Sequence, residues 1–81
     1  MRPINLFDLK EGDEGKVAEI GAGWAAVKRL SDLGLIVGTK IKILKKAPFF
    51  GPIEIDCRGT KLAIGRGLCR KIFITQDESK K

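Results

Sequence analysis

From Thr39 onward, apolar and polar residues alternate with a period of two. Ile41 and Ile43 interleave with Lys40 and Lys42, which predicts a strand with one buried and one wet face. Ile53, Ile55 and Cys57 alternate in the same way with Glu54, Asp56 and Arg58. Lys61–Ile64 forms another strand, with Leu62 and Ile64 inward, and Lys71–Thr75 the last, with Ile72 and Ile74 inward. Near the start, Lys16–Ile20 is a short half-apolar strand with Val17 and Glu19 on one side and Ala18 and Ile20 on the other. The segments between are rich in turn formers. Gly12-Asp13-Glu14-Gly15 predicts a turn, Gly21-Ala22-Gly23 ends the first strand, Ala47–Pro52 is a loop, and Arg58-Gly59-Thr60 is a tight turn.

One stretch follows a helical period instead. Trp24, Val27 and Leu30 recur every third residue, and Ala26 and Leu33 fill the same stripe, so Trp24–Leu33 is expected as a helix with Trp24 in the core. Gly34 suits a left-handed cap after it. Asn5 can cap a short helical turn, supported by Asp8 and anchored by Leu6 and Leu9. Gly65–Cys69 can form a single further turn, and Gln76–Lys81 is a polar tail expected to fray. The expected architecture is mainly β: a small barrel of about five strands, with one short α-helix between the first and second. Full closure removes exposed strand edges, which favours a barrel at this length.

Eighty-one residues suffice for one domain, residues 1–81, of stability about 4–12 kcal/mol. Sixteen Lys and Arg against ten Asp and Glu give a net charge of +6, which favours anionic partners without choosing among them. The longest uncharged apolar region, Ile20–Val27, is too short to cross a bilayer, and Met1-Arg2-Pro3 leads into no secretory signal. A cytoplasmic location is expected, and there Cys57 and Cys69 would stay reduced.

The chain has no His, and Ser31 and Ser79 lack a base partner, so triad-type nucleophilic catalysis has no residues to run it. Two cysteines fall short of the roughly four ligands of a stable soft-metal site. Asp56 points away from Cys57, which is expected as a small core residue beside Ile53 and Ile55. Gly21-Ala22-Gly23-Trp24 is not a phosphate-cradling loop. No catalytic residue, metal site or cofactor is therefore expected.

Lys28-Arg29-Leu30-Ser31-Asp32-Leu33-Gly34-Leu35 followed by Gly38, then Ala47-Pro48-Phe49-Phe50-Gly51-Pro52-Ile53, resembles the FeoA family of small ferrous iron transport proteins. The likeness spans about Leu6 to Thr75. Val37 stands where the family often has Pro, and Cys69 where it usually has a small residue. Ile64-Gly65-Arg66 replaces a common Leu-Arg-Arg, so Gly65 takes the place of a possible contact arginine. The resemblance implies a Src-homology-3-like barrel, a prokaryotic cytoplasm, and a role in ferrous iron uptake. The implied partner is FeoB, a membrane permease with a cytoplasmic GTP-binding domain.

Phe49 and Phe50 form the sharpest candidate contact. Adjacent aromatics cannot share one side of an extended chain, so either at least one is exposed as an anchor or both fold over the open barrel end. Pro48 and Pro52 stiffen the loop and reduce the entropy lost on binding. Lys28, Arg29 and Arg66 complete the candidate partner-binding set; Arg29 could meet an acidic partner or pair with Asp32 one turn on. Lys40, Lys42 and Lys46 are expected along a solvated strand face. Two other readings compete. One is a basic nucleic-acid-binding barrel, which one Trp, four Phe and no Tyr argue against. The other is self-association through strand edges or the Phe49-Phe50 loop.

Overall fold

The computed structural model describes residues 2–76. Its elements run β1 (Ile4–Asn5), a 3₁₀ turn (Leu6–Asp8), β2 (Glu14–Ile20), α1 (Trp24–Asp32), β3 (Lys40–Lys46), β4 (Ile53–Cys57), β5 (Thr60–Ile64), α2 (Arg66–Cys69) and β6 (Ile72–Thr75). The strands form one antiparallel sheet in the order β1-β6-β2-β3-β4-β5. This corrects the expected five-strand closed barrel: among the described residues there are six strands, and edge strands β1 and β5 do not pair. β1 is too short to show a period and exists because Ile4 and Asn5 pair with Ile74 and Phe73.

The core is aliphatic. Ile41 and Ile43 of β3, Ile53 and Ile55 of β4, Leu62 and Ile64 of β5, and Ile72 and Ile74 of β6 are buried at the expected alternate positions. Leu6, Leu9, Val17, Leu30, Leu35, Cys57 and Cys69 fill the rest. Asn5 caps the 3₁₀ turn by accepting from the Phe7 N–H at 2.9 Å.

Two bulges break the simple alternation. In β2 the register shifts between Val17 and Glu19, so Ala18 is the extra residue. Val17 is buried and Ile20 packs on the same core, although strict alternation would put them on opposite sides. In β3 the shift falls at Leu44. It turns Lys45 outward and Lys46 inward, so Lys46 leaves the wet row it was expected to share with Lys40 and Lys42.

Two further expectations are corrected. Glu14 and Gly15 are not in a turn but in β2, paired with Lys42 and Ile41. Trp24 is 77% exposed. A three-residue spacing drifts about 60° per step around a helix, so Trp24 lies about 120° from Leu30, which does face the core. Gln76 is half-buried and its Nε2 donates to the Glu14 carbonyl at 3.1 Å. Positions 77–81 of the expected tail lie outside the described residues.

Candidate functional site

The β3–β4 connection closes through Ala47 N–H donating to the Pro52 carbonyl at 3.1 Å, and Gly51 N–H donating to the Pro48 carbonyl at 3.1 Å. The two residues between Pro48 and Gly51 both have positive φ: 56° at Phe49 and 64° at Phe50. Positive φ at both central positions defines a type I′ turn, normally built from Asn and Gly. Each bulky residue held there costs about 1–2 kcal/mol. The two rings gain no core contact in return, being 92% and 88% exposed. The alternative in which both fold over the sheet is not what the chain does. Pro48 is exposed beside them.

Arg66 holds this tip from behind. Its Nε donates to the Gly51 carbonyl at 2.8 Å, and its terminal nitrogen Nη2 donates to the Ala47 carbonyl. Its guanidinium also lies 5.4 Å from the Phe7 ring centre. Arg70 lies over the same ring at 4.7 Å and Lys46 at 5.5 Å. Lys46 Nζ donates to the Phe7 and Leu9 carbonyls, both at 2.9 Å. The 3₁₀ turn, α2 and the tip are thus tied into one end of the molecule. Asn5 Nδ2, donating to the Arg70 carbonyl, adds a further tie between β1 and the end of α2. Arg66→Ala is expected to lower stability by about 1–2 kcal/mol, since two charge-assisted bonds of a half-buried group are lost. Arg66→Lys should recover less than half of that, because one ammonium lacks the planar fork that reaches two carbonyls. Urea denaturation of the three chains measures both.

The structure therefore brings together Pro48, Phe49, Phe50 and Arg66. It does not bring Lys28 and Arg29 to them. These lie exposed on α1, and the carbonyl of Gly34, just beyond that helix, accepts from Cys57 Sγ at 3.4 Å. Cys57 ends β4 at the opposite extreme from Ile53, about 13 Å away along the strand. Asp32 pairs with Lys28 Nζ at 3.7 Å rather than with Arg29. Both side chains are largely exposed, and such a pair contributes little. Phe7, Lys46 and Arg70 were missed. They come together only through tertiary folding, and the outward-facing parity assigned to Lys46 hid it.

Cys57 and Cys69 are both free and buried. Cys69 Sγ donates to the Ile64 carbonyl at 3.4 Å, and Cys57 Sγ to Gly34. Among the described residues, no cluster of three or more His, Cys, Asp or Glu is placed to hold a metal ion. Burial raises the Cys57 thiol pKa, Arg58 lowers it and Asp56 raises it. Burial pushes the Cys69 thiol from 9.0 up to about 11, against smaller lowering effects of Arg66 and Lys46. A raised native pKa favours the protonated folded state. Its contribution is full below pH 9.0 and is lost as pH climbs towards 11, when the unfolded chain already carries thiolate. Stability should fall by about 2–3 kcal/mol over that interval from this group. Chemical denaturation at stepped pH should show a shallower fall in Cys69→Ala.

No helix among the described residues is long and apolar enough to cross a membrane. The FeoA domain family matches residues 4–76. A protein of Methanocaldococcus jannaschii carrying the name Fe(2+) transport protein A is 41% identical over 73 residues, covering 90% of this chain and 87% of that one. The solution structure of FeoA from Chlorobium tepidum superposes with a TM-score of 0.83 at 38% identity, covering 95% of this chain and 76% of that one. A manganese-dependent transcriptional repressor gives a TM-score of 0.85 at 20% identity, over 93% of this chain and 42% of the repressor, which is a likeness of fold alone. Sequence match, identity and backbone agree over nearly the whole length, and the chain belongs to the FeoA domain family.

Proposed function

We propose that this protein is a non-catalytic accessory protein of ferrous iron uptake that docks on the cytoplasmic GTP-binding part of a FeoB-type permease. The observation that carries the docking surface is the Phe49-Phe50 tip. Two aromatic rings stand in solvent on a backbone conformation that disfavours them, with Arg66 bracing the loop. Strain concentrated in an exposed segment points to use rather than to folding. A rigid aromatic pair loses little entropy on binding and supplies the kind of anchor that dominates interfaces. Family membership and the name borne by the Methanocaldococcus relative support the iron-uptake role.

The mechanism is a population shift: the domain changes its partner only as far as it binds two partner states unequally. Titration of the full chain into purified permease, with and without GTP, tests this. Binding is expected in at least one nucleotide state. The absence of binding in both refutes the reading.

A further inference from the structure

The outer face of the sheet carries two neighbouring rungs of opposite design. One runs Glu14, Lys42, Asp56, Lys61 across β2, β3, β4 and β5, each residue directly opposite the next. Its charges alternate and compensate. The next rung runs Thr75, Lys16, Lys40, from β6 to β3. Arg58 continues it, one residue beyond the Ile41–Cys57 pair. Three exposed cations follow one another, and among the described residues no acid stands between them. Like charges directly opposite on a sheet destabilise it. Lys16 opposite Lys40 is thus an unfavourable pair, while Glu14 and Asp56 of the neighbouring rung flank Lys40 and Arg58.

These three cations line an open concavity of about 440 Å³, and its other wall is aliphatic. Ile36 and Val37 form it, 49% and 60% exposed. Among the described residues, no acidic side chain lines it. We propose that this concavity is a second docking surface, separate from the Phe49-Phe50 tip, for a protein segment that alternates acidic and aliphatic residues. Charge complementarity selects the acids. Neighbouring strands place the cations about 5 Å apart. Acids two residues apart in an extended segment are about 7 Å apart, within reach of the flexible Lys and Arg heads. The aliphatic wall favours a peptide over a single-stranded nucleic acid, whose bases bind by stacking on aromatic faces, and among the described residues no aromatic side chain lines this site.

The probe is a fluorescein-labelled ten-residue peptide of alternating Glu and Leu, with a Gln-for-Glu control, titrated into the full chain. Anisotropy gives affinity, and backbone amide shifts give location. The Glu peptide should bind with shifts centred on Lys16, Ile36, Val37, Lys40 and Arg58. Lys16→Glu/Lys40→Glu should weaken it at least tenfold, whereas Lys10→Glu/Lys71→Glu, an equal change of net charge elsewhere, should change it less than threefold. Phe49→Ala/Phe50→Ala should leave it intact, which separates this surface from the proposed permease contact. Lys16→Gln should fold at least as stably as the natural chain. Equal binding of the Gln peptide, shifts centred on the tip, or tighter binding of a single-stranded oligonucleotide at the same residues would overturn the proposal. So would a tenfold gain in affinity in Asp77→Asn/Glu78→Gln, which would make the chain's own acids the occupant.

Discussion

Gly15→Ala is expected to cost at least about 3 kcal/mol, a large part of the stability of a domain this size. A methyl group added at Gly15 would run into Ile74 Cγ2 and would stand 2.7 Å from the Thr75 carbonyl oxygen. Neither neighbour can yield cheaply. Ile74 is fully buried among the central aliphatic side chains. Thr75 is held on the ladder opposite Lys16, one residue from Gly15. Relief would require β2 and β6 to separate at the middle of the sheet, where β6 also carries β1. Strand glycine of this kind marks a close backbone approach rather than a bend. Urea denaturation and amide exchange test this together. Gly12→Ala, where an added methyl group meets nothing within 4 Å but φ is 92°, serves as the comparison. It should cost only about 1 kcal/mol, the strain of a left-handed alanine. If Gly15→Ala proves no worse than Gly12→Ala, the β2–β6 packing described above is wrong.

That contrast also shows where sequence reasoning reached its limit. The period-two runs at Ile41–Ile43, Ile53–Cys57, Leu62–Ile64 and Ile72–Ile74 were legible because burial on one sheet face leaves a direct trace in the pattern. The two bulges were not legible. Ala18 and Leu44 look like ordinary strand residues, and the extra position appears only when the partner strand is known. After each bulge the parity is inverted, which is how Lys46 came to be assigned to solvent. Gly15 looked like half of a turn because glycine is more often needed for φ than for space. Of the candidate site, Pro48, Phe49, Phe50 and Arg66 could be picked out from the chain. Their assembly could not, since Arg66 reaches the loop across 15 residues of sequence and Lys46 reaches Phe7 across 39. The exposure of both rings follows from two left-handed backbone positions that no phenylalanine signals.

Replacing Phe49-Phe50 with Asn-Gly should move stability and binding in opposite directions. Asn and Gly accept positive φ readily, so the type I′ turn would form without the strain now held there. The exposed rings leave no cavity when removed. Part of the gain is offset by the greater unfolded freedom of glycine, and the net increase should be about 1 kcal/mol, read by thermal or urea denaturation. Binding to the permease should fall instead. Two aromatic anchors that become buried on binding, at about 2 kcal/mol each, correspond to about a thousandfold loss in affinity. Phe49→Ala/Phe50→Ala separates the terms, because alanine removes the rings but keeps much of the backbone penalty. It should bind as poorly as Asn-Gly and be less stable. A stable Asn-Gly chain that still binds its partner would mean that the tip is not the contact. A chain destabilised by the change would mean that the rings stabilise the fold, contrary to their exposure in the structure.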